Sequence, residues 1–141
     1  MSRLQDIAEL LVASWVLSRD EDKVDPLPTS HGLLDRALRT AIAGGAFPKD
    51  WSKRLHFVDS RIGLQCVELD SIMGTAQRAE FTTEPNPSYE TTHIKISQSA
   101  ARALLGRRGI SEAEARSWGE VLHRALDDAK ATLSQYPQHA V

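Results

Sequence analysis

Between Ser97 and Gln135 the chain carries helical periodicity in two adjoining runs, and the second is long enough to dictate what the rest of the sequence must supply. Ala115, Trp118, Leu122, Ala125, Ala129 and Leu133 recur every three or four residues, so a helix of 3.6 residues per turn lines them up in one stripe. Ser111 and Glu114 open it as S-x-x-E, where hydroxyl and carboxylate can satisfy the backbone donors that a helix start leaves orphaned. A stripe of that length needs an apolar partner, and residues 4–17 offer the widest face in the chain. Leu4, Ile7, Ala8, Leu11 and Trp15 form one side of that first helix, while Leu10, Val12, Val16 and Leu17 extend the apolar surface well beyond it. Two readings follow for the second set: a central core helix covered from both sides, or a partner interface made of Leu10, Val12, Val16 and Leu17, onto which a second copy or another protein docks.

Taken in order, the remaining segments alternate between helical and extended spacing. Asp20 to Pro28, with five charges and two prolines, reads as a surface loop. Ser30 can cap a second helix whose stripe is Leu34, Ala37, Leu38, Ala41 and Ile42; Gly44 and Gly45 stop it and Pro48 prevents its continuation. Phe47 and Trp51 bracket a turn and are expected to close over the core. From Leu55 the period drops to two, and residues 55–66 predict a β-hairpin around Asp59-Ser60-Arg61. Leu69, Ile72, Met73, Ala76 and Ala79 return to helical spacing over about 68–80. Residues 82–89 contain two prolines and form a loop, and Thr91, Thr92, Ile94 and Ile96 favour a third strand. The expected architecture is α+β, four or five helices packed on a small, mostly antiparallel sheet of about three strands. Residues 1–136 form a single compact domain, with 137–141 a frayed tail.

Composition narrows the function classes. A net charge of -2, from 17 basic and 19 acidic residues, argues against a surface built throughout for a polyanion. Cys66 is the single cysteine, so no disulfide can close within the chain and no four-thiolate zinc site can be assembled from it. That usage fits a reducing compartment. Residues 3–17 include Asp6 and Glu9 and run into a charged segment, too short and too charged to span a bilayer and without a signal-peptide pattern. A cytoplasmic protein with no membrane partner is expected.

Catalytic and cofactor signals are sparse. Neither G-x-x-x-x-G-K-[ST] nor G-x-G-x-x-G occurs, and no two of the five histidines are spaced i, i+4. No metal, cofactor or small-molecule ligand is inferred. A small enzyme would need a spatial cleft, for which His56, His93 and Cys66 are the candidates if hairpin and third strand are neighbours. The apolar flanks of Cys66 would raise its pKa and suppress the thiolate.

One charge cluster stands out. Between Ser97 and Ser111 there are three arginines, Arg102, Arg107 and Arg108, and no acid, in a turn of the form Gly-Arg-Arg-Gly-Ile. Two helices about such a turn match the outline of a helix-turn-helix, with Lys53 and Arg54 as a second basic group that could join it on a nucleic acid. Against this, the next helix opens with Glu112 and Glu114, which would face phosphates. The leading expectation is therefore a non-enzymatic interaction module, a subunit or adaptor working through helix surfaces with a protein partner or a second copy. A nucleic-acid-associated regulator is the alternative, and a small enzyme with a histidine-containing cleft the third.

Overall fold

A computed structural model describes residues 3–20, 23–28, 32–61, 63–82 and 91–135. The fold is α+β. In chain order the elements are α1 (Leu4–Leu17), β1 (Leu27–Pro28), α2 (Leu33–Ala43), α3 (Trp51–Arg54), β2 (Phe57–Ser60), β3 (Gly63–Cys66), α4 (Leu69–Arg78), β4 (Thr91–Thr92), α5 (Gln98–Gly106) and α6 (Glu112–Gln135). The described strands form two antiparallel ladders, β1 with β4 and β2 with β3, in place of the one sheet of about three strands read from the sequence.

Helix α1 is the axis of the molecule. Every residue from Ile7 to Leu17 is buried, because α4, α5 and α6 all pack on it. The interface expected of Leu10, Val12, Val16 and Leu17 is therefore corrected: all four belong to the core of the single chain, and none offers a surface to a partner. The excess of apolar residues reflects a helix with neighbours on several sides, which is what an all-round hydrophobic helix requires.

Helix α6 covers α1 with the stripe read from the sequence; Leu122 is fully buried, and Trp118, Ala115 and Ala125 lie with it in the core. Its approach is unusually close at Gly119. A Cβ there would stand 2.1 Å from the carbonyl oxygen of Ser14 and 2.7 Å from Cβ of Ser18, so only glycine lets the two backbones meet. The far end of α1 is tied down from α5, where the Gln98 side-chain amide donates to the carbonyl oxygens of Arg19 (2.5 Å) and Val16 (3.3 Å).

Helix α2 packs against α6 and β3. It starts at Gly32, with φ at +69° and no room for a Cβ against the Leu64 carbonyl, 2.9 Å away; the Ser30 expected to cap it lies outside the described residues. It stops where expected, with Gly45 at φ +93°. Phe47 is itself in the left-handed region, at φ +67°, held there by burial and by stacking on Trp51 at 4.4 Å between ring centroids.

Three short elements depart from the expectation. Trp51, read as part of a turn, begins the one-turn helix α3. Leu27 and Pro28, read as loop, are a buried strand that pairs Leu27 with Thr92 and Pro28 with Thr91. The strand expected over 91–96 is two paired residues followed by an isolated bridge between Ile94 and Thr82. The loop over 83–89 and the frayed tail lie outside the described residues.

Candidate functional site

Two places bring together the side chains singled out in the sequence: the α5–α6 turn and the β2–β3 hairpin. The first is shaped by Gly109, whose φ of +66° lets the chain reverse between the helices. Ser111 Oγ then accepts from the Glu114 amide at 3.1 Å, capping α6 as its S-x-x-E start predicts.

The arginines of this turn are committed to carboxylates. Arg102 Nε donates to Glu112 Oε1 at 2.8 Å while Arg116 holds the other oxygen at 2.7 Å, and the two guanidiniums, Arg102 first, keep the Glu112 carboxyl below its ordinary pKa. Arg108 reaches across to α1, with one nitrogen 2.5 Å from Asp6 and the other 2.6 Å from Glu9 Oε1. Glu9 is a buried carboxylate, its side chain only 3% exposed, and Gln5 supports it by donating to Oε2 at 3.1 Å. Asp6 is held below the ordinary carboxylate range, first by the Arg3 backbone N–H at 3.1 Å and then by Arg108. Arg107 touches Glu9 Oε1 only at 3.6 Å and keeps a side chain 67% exposed.

The candidate nucleic-acid patch is thus not a field of uncommitted cations. Lys53 and Arg54 sit at the end of α3, and what the neighbouring chain contributes to the groove beside Arg107 and Arg108 is Pro48 and an acid, Asp50. Glu9 is the residue that sequence reasoning passed over. An acid set between Ala8 and Leu10 in the apolar part of α1 was its signal, since a buried carboxylate requires a paired cation.

The hairpin assembles a different set. His56 Nδ1 lies 2.6 Å from Glu68 Oε2, and the His56 amide donates to Oε1 at 2.8 Å. Burial alone would raise the pKa of Glu68, but these two contacts, the backbone one first, hold it below its ordinary value. Cys66 Sγ stands 3.9 Å from Glu68 Oε1, and its amide donates to Asp35 Oδ2 at 2.6 Å, fastening β3 to α2. Burial, with Glu68 and Asp35 nearby, pushes the Cys66 thiol up to about 11, so the sulfur stays protonated at neutral pH and is no poised nucleophile. His93 is not part of this group; it lines a separate cleft with Val24 and Ile94 beside α1.

The outer face of the same hairpin exposes two valines beside Gln65. Antiparallel pairing sets Phe57 opposite Cys66 and Val58 opposite Gln65, so the alternation that turns Cys66 and Leu64 inward turns Val58 and Val67 outward as diagonal neighbours. They are 46% and 60% exposed, the most exposed large hydrophobics among the described residues. Beside them β2 has no strand on its second edge among the described residues.

A third polar group, His123, was legible only as a member of the C-terminal helix. Its imidazole is 7% exposed and stacks on the Trp15 indole, 3.7 Å between centroids, while Trp15 Nε1 donates to the Asp25 carbonyl oxygen at 2.7 Å. Burial, and then the charge of Arg19, lowers its pKa to about 4, and Nε2 has no hydrogen-bond partner among the described residues. Among the described residues no three His, Cys, Asp or Glu side chains gather as a metal ion would require, and no helix is long and apolar enough to cross a membrane. Compared with protein-family models, with curated proteins and with solved structures, the chain matches none.

Proposed function

We propose that the chain is a protein-interaction module, and that its docking face is the outer side of the β2–β3 hairpin in place of a helix surface. The observation that carries this reading is the coincidence, on one hairpin, of two exposed valines and an open strand edge. In an antiparallel ladder, alternate residues direct their amide and carbonyl away from the paired strand. Because Val67 donates to the His56 carbonyl at 2.8 Å, the residues of β2 whose backbone groups face the open edge are Phe57 and Asp59. A strand of a partner can take those groups as its own ladder, with Val58 beside it and Val67 continuing the apolar surface one strand further in, the mode known as β-augmentation.

Support for the nucleic-acid reading is weaker, because Arg102 and Arg108 have carboxylate partners at 2.5–2.8 Å. A photo-crosslinking residue placed at position 58, in cells, tests the interaction reading. The expected result is a covalent adduct of defined mass that disappears when Val67→Lys is added. Adducts that form equally from an exposed position outside the hairpin, such as 130, would remove the hairpin from consideration.

A further inference from the structure

The groove between the first turns of α1 and the α5–α6 turn has a volume of about 540 Å³, the size of a small-molecule site. We propose that it binds the oxyanion end of a small organic ligand, a phosphate ester or a carboxylate, with Arg107 as the principal contact. This goes beyond the interaction reading and rests on a different part of the molecule.

The floor is an ionic cluster that is expensive to bury. Arg108 clamps Asp6 and Glu9 at 2.5 and 2.6 Å, and the Glu9 side chain is almost wholly inaccessible. Apolar residues of the same volume would stabilise such a junction as well or better, so stability is a weak reason for its presence. What the clamp does supply is a rigid base in which a single guanidinium fixes both carboxylates in place. Arg107, next in the chain, is left with a guanidinium that is 67% exposed and 3.6 Å from an oxygen already occupied by Arg108. Its N–H donors form a planar fork suited to a two-oxygen acceptor. Arg3 lines the same groove; its backbone N–H donates to Asp6, while its guanidinium forms no ion pair among the described residues. Leu10, Pro48 and Ile110 give the groove an apolar wall for the organic part of a ligand.

Charge balance decides between a small anion and a polymer. The lining holds Arg3, Arg107 and Arg108 against Asp6, Glu9 and Asp50, so the groove as a whole is neutral and has no long-range field to gather a polyanion. Recognition here is short-range and directional. The positive end of α1 contributes little, because Asp6 already accepts from the Arg3 amide.

The test is a two-dimensional amide NMR titration of the full chain with inorganic phosphate and, separately, with glutarate, at fixed ionic strength. Saturable shifts are expected for Gln5, Leu10, Arg107 and Ile110 with at least one probe. Arg107→Gln should weaken that binding about tenfold or more while leaving the melting temperature unchanged, and Arg54→Gln should leave binding intact. Stronger binding of phosphate assigns a phosphate ester, and stronger binding of glutarate a carboxylate. Shifts that fail to saturate, that centre on Lys53 and Arg54, or that persist unchanged in Arg107→Gln would overturn the proposal.

Discussion

At the scale of single residues, the most demanding position is Gly119, where the backbone of α6 crosses that of α1. The Cβ of an alanine would lie 2.1 Å from the Ser14 carbonyl oxygen, and that oxygen belongs to a helix held by neighbours on several sides. Neither helix can yield without opening the core. Gly119→Ala is therefore expected to cost about 3 kcal/mol in urea denaturation, at the upper end of overpacking, even though alanine is intrinsically the better helix former. The stripe around Gly119 was legible in the sequence because 3.6-residue periodicity records which side faces inward. The glycine itself was not, since a closest approach depends on where the second helix crosses, and periodicity carries no information about crossing points. Glu9 shows the same limit: the sequence marks it as an acid in an apolar run, but only the fold brings Arg108 to it.

At the scale of elements, the α5–α6 turn behaves as a latch on α1. Arg107 and Arg108 are neighbours of identical chemistry with opposite structural weight, which gives a sharp comparison. Arg108→Ala leaves Glu9 buried without its closest cation and should destabilise the protein by about 3 kcal/mol, whereas Arg107→Ala should change stability by less than about 0.5 kcal/mol. Thermal or chemical denaturation of the two single variants checks this. The sequence understates Arg108, because charges counted along the chain do not show the pairs made across it. Helices were read well in sequence wherever they were long and one-sided, as in α2, α4 and α6. Short elements escaped: α3 is a single turn, and β1 is two residues whose pairing partner, β4, lies far along the chain. The hairpin was visible as alternation, yet its open edge was not, because a free edge is defined by what fails to pair with it.

At the scale of the molecule, stability is expected to respond to acid in two stages. His123 has a folded-state pKa of about 4 against an ordinary 6.5, so the unfolded chain takes up this proton at higher pH than the folded one. Stability is then complete above about pH 6.5 and falls as the pH drops toward 4, by about 3 kcal/mol in all. Asp6 and Glu68, whose folded pKa values are depressed, contribute stability that is present above their ordinary pKa and disappears as the pH falls through the lowered values, giving a second decline at more acid pH. Urea midpoints measured between pH 8 and 3 should show both stages, and His123→Phe should flatten the first alone. Chain order adds a constraint of another kind. Helix α1 finds much of its cover in α5 and α6, which are translated after it, so the core around α1 cannot be completed until both have left the ribosome. Until those helices emerge, the nascent chain displays an apolar helix to its surroundings, and the hazard of aggregation is set by the duration of translation as well as by the stability of the finished fold.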